Sequence, residues 1–356
     1  MKNITIKMKL IFSFSIVAVL VAVLAIYSII GIGKISDGFT NYREMARDSV
    51  LAGRVQANML MVRMNVKDYL STPVQKEINE FNHYFEKAGG FIETAQSEIQ
   101  KPSRAPLVKK LKIDAAEYKK SFFKVVDYMG QRNEIVNNNL DVNGKKIEQL
   151  LTSVMNSAIK DGDPDAALET AKGVRAVLLA RLYTSKFLRS NSKDDSTRVH
   201  KEFDSLEKQI ITIRNSVQNP TRREQLKEAI TLINKYKTGV SGVERIINER
   251  NDVINNSLNI IGPNMAKMAE DIKLSIKKDQ DIIGPEVAKL NENINNVVIV
   301  ISAIILIFVI SLGVIIPRNI SSLISTFQNG LNDFFKYLNR EISTAELIKI
   351  DSKDEI

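Results

Sequence analysis

The sequence predicts an all-α protein, with two transmembrane helices flanking a six-helix external domain, and three observations predict it. Two apolar runs, 10–33 and 293–317, carry no charge between Lys9 and Lys34 or between Glu292 and Arg318. The roughly 260 residues between them show no sustained period-two alternation, and the whole chain has only 16 glycines, so a sheet lacks its usual signals. Across this same stretch the sequence repeats itself at a fixed offset of 118 residues.

The apolar runs come first in the argument. At about 1.5 Å of rise per residue, helices over 10–33 and 294–317 are long enough to cross a hydrocarbon core of about 30 Å. The first run is longer than the roughly 7–15 apolar residues of a signal peptide, and no small-residue cleavage site follows it. Lys2, Lys7 and Lys9 precede the first run and Arg318 follows the second. The positive-inside bias therefore places 1–9 and 318–356 in the cytoplasm and 34–293 outside. A Cys-free domain over 34–293 is compatible with a bacterial periplasm, and the family resemblance described below implies a bacterial inner membrane with 34–293 as its periplasmic domain. The chain has no Cys, so that domain must be stabilised by packing rather than by disulfides.

The formal charge of +9 is unevenly placed. After the N-terminal lysines and the nearly balanced tail are set aside, about +7 falls on the external segment, and such a field concentrates anions. Nucleic acid is excluded as the expected partner, because the charge faces outside and no nucleic-acid motif is present. A small organic anion fits better, and a surplus of lysines that only maintains solubility is the competing reading.

The repeat fixes the order of the elements. Leu60, Arg63 and Leu70 match Leu178, Arg181 and Leu188; Phe85 matches Phe203; Pro102 matches Pro220; Tyr118 matches Tyr236. Arg132-Asn133-Glu134-Ile135-Val136-Asn137-Asn138-Asn139-Leu140 matches Arg250-Asn251-Asp252-Val253-Ile254-Asn255-Asn256-Ser257-Leu258, and Gly144 matches Gly262. Each copy reads as helix, turn, helix, turn, long helix. Breaks are expected at Ser71-Thr72-Pro73, Lys101-Pro102-Ser103, Asp161-Gly162-Asp163-Pro164, Ser190-Asn191-Ser192 and Asn219-Pro220-Thr221. Thr72 with Gln75 and Thr221 with Glu224 have capping-box spacing, and Pro73 and Pro164 suit first helical positions.

The predicted helices over 36–71 and 73–100 would together roughly equal the long helix over 104–161. Two copies then make two stacked four-helix bundles. The expected arrangement puts the first and fourth helices near the membrane, the second and fifth far from it, and the third and sixth through both. Gly262-Pro263 and Gly284-Pro285 should kink the sixth helix.

An apolar seam in steps of three and four runs Leu111, Ala115, Tyr118, Phe122, Val125, Met129, Arg132, Val136, Asn139. Its copy runs Ala229, Ile233, Tyr236, Val240, Val243, Ile247, Arg250, Ile254, Ser257. Arg132 and Arg250 stand where apolar side chains are expected, and Arg63 and Arg181 share helix faces with leucines. A buried guanidinium needs a partner, and its fork fits a carboxylate. The expected site is therefore one polar layer of Arg63, Arg132, Arg181 and Arg250 with Asn139 and Ser257, binding a small carboxylate in the membrane-near bundle. Snorkelling to the surface, or pairing with Asp68, Glu134 or Asp252, would give the arginines a purely structural role.

His83 and His200 lack companions at ligand spacing, so no metal site is expected. No nucleophile elbow, phosphate loop or carboxylate pair stands out, so neither a cofactor nor enzymatic chemistry is expected. Tyr118 and Tyr236 read as core residues.

This pattern resembles the helical bimodular (HBM) sensor region of bacterial methyl-accepting chemotaxis proteins. Pro317-Arg318-Asn319-Ile320-Ser321-Ser322-Leu323 is similar to the start of a HAMP signalling segment. Phe327-Gln328-Asn329-Gly330-Leu331 and Phe334-Phe335-Lys336-Tyr337-Leu338-Asn339-Arg340-Glu341 resemble chemoreceptors of the Campylobacter and Arcobacter lineage. Asp354-Glu355-Ile356 is similar to the opening of the second HAMP helix. The resemblance implies a homodimeric chemoreceptor that senses small organic acids, with Arg63, Arg181 and Arg250 as matching site residues, and passes the signal to chemotaxis proteins. HBM domains also occur on histidine kinases. A structural coiled-coil membrane protein is the reading from another class, and it predicts an unbroken apolar seam.

Overall fold

The computed structural model describes residues 5–344, and the expected HAMP-like Asp354-Glu355-Ile356 lies outside them. Among the described residues the fold is helical, with no strand. The elements are α1 (Ile6–Ser71), α2 (Gln75–Glu98), α3 (Ala105–Ile135), a π-helical segment (Val136–Leu140), α4 (Asp141–Lys160), α5 (Pro164–Ser190), α6 (Lys193–Ser216), α7 (Pro220–Val253), a second π segment (Ile254–Leu258) and α8 (Asn259–Leu338). They form two units, one of Met1–Ser49 with Leu274–Ile356 and the other of Val50–Lys273.

In the first unit α1 and α8 pack as antiparallel neighbours. Gly31 faces Ile294 and Gly38 faces Val287, so paired positions keep a constant sum. A Cβ at Gly38 would come within 2.6 Å of Val287, so the missing side chain is what allows this approach. Both helices are long and apolar enough to cross a membrane. Their outer residues, among them Phe14 and Ile29 at 70 % exposure, are apolar surface that hydrocarbon would cover.

The second unit holds two hydrophobic cores. Helices α1, α2 and α3 line the first with Met59, Val62, Phe81, Leu111 and Phe122, and Val253, Leu258, Met265 and Ala269 complete it. Helices α5, α6 and α7 line the second with Val177, Phe187, Phe203, Ile210, Leu226 and Ile233, and Ile147, Leu151 and Val154 of α4 complete it. This corrects the expected pairing. The first and fourth predicted helices do not share a core, and neither do the second and fifth. The short turns after Ser71 and Ser190 fold each helix back on its neighbour, so each copy keeps its own pair. Helix lengths alone fit both arrangements and could not decide.

Local chemistry explains the turns, with two corrections. Asp163 caps α5 by accepting from Ala166 N at 3.1 Å, with Pro164 in the first turn as expected. α7 is capped by Asn219, which accepts from Arg222 N at 3.2 Å, rather than by Thr221. α2 starts at Gln75 after an extended Val74, so Thr72 makes no cap and Pro73 precedes the helix. Asn191 ends α5 in the left-handed region at φ 52°, where Asn is among the tolerated residues. α8 runs through Pro263 and Pro285 as one helical element.

Candidate functional site

The arginines fall in three layers rather than the single one expected. On both long helices Arg132 and Arg250 mark the boundary between cores. Met129 packs against the first core and Ile135 against the second; Ile247 belongs to the second and Val253 to the first. Arg250 Nη1 donates to Met129 Sδ at 3.2 Å, which is a weak acceptor for a charged donor, and Nη2 donates to Asn251 Oδ1 at 2.8 Å. Arg132 Nη1 donates to Asn133 Oδ1 at 2.8 Å, and Nη2 to Leu188 O at 3.0 Å. Leu188 O is one of the free carbonyls at the end of α5, where a cation is favoured. Desolvation lowers the pKa of both guanidinium groups, and the Arg132 charge adds to the effect on Arg250.

Arg63 flanks the first core. A Cβ built at Gly262 would meet Arg63 Nε at 3.0 Å and Tyr118 Cε2 at 3.1 Å, so the stem of Arg63 crosses α8 at a glycine, beside a buried tyrosine. Arg181 repeats this in the second core. A Cβ at Gly144 would meet Tyr236 Cε2 at 3.0 Å and Arg181 Cδ and Nε at 3.1 Å. Twelve residues separate Arg250 from Gly262 and Arg132 from Gly144, which puts the layers roughly 18 Å apart. Arg63 and Arg181 therefore stand apart, each beside a different core.

Burial pushes the Tyr118 hydroxyl up to about 12, with the Arg63 charge pulling the other way. Burial also raises Tyr236 to about 12, against a hydrogen bond with the Thr184 side chain and the Arg181 charge. Both phenols therefore stay neutral donors at any physiological pH. In the first core Asn65 is 5 % exposed, sits between Val62, Val66 and Tyr69 on the buried face, and leaves Nδ2 without a partner among the described residues. Such an orphan donor is costly unless something else accepts from it.

All four arginines are half-buried, and among the described residues none pairs with a carboxylate. Of the leucines on their faces, Leu70 and Leu188 pack against the cores, whereas Leu60 and Leu178 are 46 % and 49 % exposed, so the arginines flank the buried stripes that Val62 and Val177 belong to. Asn139 and Ser257 are also displaced. Leu140 and Leu258 take the expected seam positions, at 2 % and 4 % exposure, because the π segments insert one residue there. Asn139 instead lies against α7, where a Cβ at Gly239 would be 3.0 Å from its Cγ.

Another matched pair, Arg104 and Arg222, went unnoticed in the sequence although it obeys the same offset. They are 3 % and 4 % exposed. Arg222 donates to Ser157 Oγ at 3.2 Å, to Asp163 Oδ2 at 3.0 Å and to Asp161 Oδ2, tying α7 to the turn before α5. The Asp161-Gly162-Asp163 turn was the available signal. This arginine is structural.

No protein-family model matches the chain, and a search of curated proteins finds no match. Among solved structures, the chain is similar to the TorS sensor domain in its crystal structure with TorT in the presence of TMAO. Identity is 12 %, with 66 % of this chain and 98 % of that chain covered and a TM-score of 0.37. A similarity that loose transfers neither fold nor function.

Proposed function

We propose that the chain is the sensor region of a transmembrane receptor, anchored twice in a bacterial inner membrane, that binds a small organic anion in its periplasmic domain. The finer reading is a homodimeric chemoreceptor of the HBM kind, in which α8 carries the response toward a cytoplasmic signalling module. The observation that carries the proposal is the set of half-buried guanidinium groups with no carboxylate partner among the described residues. A desolvated cation left unpaired is destabilising, and a carboxylate ligand would complete it. Arg63 is the best placed, with neutral Tyr118 beside it and the free amide of Asn65 in the same core. A non-binding coiled-coil spacer would need an unbroken seam, which Arg132 and Arg250 interrupt on both long helices.

The test is isothermal titration of the full chain in lipid nanodiscs with acetate, succinate, malate and citrate. At least one acid is expected to bind, with Arg63→Ala weakening it at least about tenfold, the loss of one charged contact. Absence of heat with every acid, or unchanged affinity in Arg63→Ala, would count against the assignment.

A further inference from the structure

The two π segments occupy equivalent positions, Val136–Leu140 and Ile254–Leu258, separated by the repeat offset. A π turn holds one residue more than the α-helix needs, and such turns concentrate at functional positions. Each stands four residues after a boundary arginine and ends four residues before the glycine under the next arginine layer. Only the second leads, without another break, into the 80 residues of α8.

We infer that Ile254–Leu258 is a sliding register joint with two settings, which exchanges Leu258 for Ser257 on the wall of the first core. Upstream, the seam positions 243, 247, 250 and 254 advance by steps of four, three and four, so an uninterrupted α-helix would seat Ser257 next. The structure seats Leu258 at 4 % exposure and leaves Ser257 half-buried, because the π turn has absorbed one residue. Downstream, Leu258, Gly262, Met265 and Ala269 continue the seam, all buried. If the extra residue moves one turn onward, to between Leu258 and Gly262, Ser257 enters the seat while Gly262 and everything after it stay in register. The rotation is thus confined to a few residues and needs no movement of the flanking helices.

The segment is lightly held. Asn255 and Asn256 are exposed, and among the described residues the side-chain hydrogen bonds there are local, from Asn256 to Asp252 at 2.5 Å and from Asn259 to Asn255 at 3.4 Å. One setting presents a leucine between the Arg250 and Arg63 layers, the other a hydroxyl. A polar occupant favours the second and an empty core the first. That use of the joint rests on the anion reading above; the existence of two settings does not.

The test therefore needs no ligand. In the full chain, Leu258→Ser should lower Tm by roughly 5–15 °C, as expected for deleting a buried leucine. Adding Ser257→Leu should recover at least half of that loss, since the joint can slide and seat the new leucine. A double variant as unstable as Leu258→Ser alone overturns the proposal, because in a rigid helix residue 257 cannot reach the seat. Should Leu258→Ser fail to fold, the cysteine-free background offers a second reading. Maleimide should alkylate Leu258→Cys about tenfold faster when Ser257→Leu is also present, as residue 258 leaves the core. Equal rates overturn the joint. If rescue occurs but no organic acid binds, the joint stands and the anion assignment fails separately.

Discussion

The two tyrosine–arginine contacts are built from matching residues at matching positions, yet the polar groups around them differ. In the second core Tyr236 has the Thr184 side chain as a partner, and Tyr183 lies under the Arg198 guanidinium, 5.1 Å from its ring centre. In the first core the equivalent positions are Val66, which offers Tyr118 no hydroxyl, and Asn65, whose amide is buried without a partner. The difference teaches that duplication fixed where the side chains stand, while two substitutions decided which polar groups accompany each tyrosine and whether they find partners.

Four substitutions would break or sharpen this contrast. The largest effect is expected at Gly239, whose missing Cβ would lie 2.8 Å from Leu140 Cδ2. Gly239→Ala should overpack the second core and lower Tm by about 4 °C, after the gain in helix propensity is allowed for. The first core already carries Ser121 at the equivalent position, so Ser121→Ala should change Tm by less than about 2 °C. Equal losses at both positions would mean that the cores are not packed differently there.

Asn65→Leu comes next. Removing a buried orphan amide should raise stability by about 1 kcal/mol while reducing any anion affinity, an opposition that scanning calorimetry and titration would read on the same protein. A destabilised variant would show that Asn65 has a satisfied role. The smallest effect is expected from Thr184→Val, which copies the first core into the second and should cost about 1 kcal/mol or less through the lost Tyr236 partner. No measurable change in thermal unfolding would mean that this hydrogen bond does not distinguish the two cores.

Sequence patterning reached the elements more readily than their pairing. The helices, their breaks and the repeat are legible because prolines, polar turns and a 118-residue register are local or self-referential signals. Which helices share a core is not local: α1 with α2, or α1 with α5, would bury stripes of similar length. The displacement of Asn139 and Ser257 was hidden for another reason, since a seam traced in steps of three and four assumes an α-helix throughout. Its trace is visible in hindsight in 250, 254, 258 and 262, a run of steps of four that an α-helix cannot keep on one face. Arg63 and Arg181 stand out through their mismatch with apolar neighbours, but their separation between different cores followed from the hairpins and not from the mismatch.

Each core takes three helical segments from one copy and a fourth from the other: α4 of the first copy closes the second core, and residues 253–269 of the second copy close the first. Neither copy could therefore shield its own apolar stripes if it were made alone. Two separate molecules would have to find each other and trade their long arms, at a cost in translational freedom that a shared backbone removes. Covalent fusion turns that exchange into an internal matter, so the folding of either half carries information about the other.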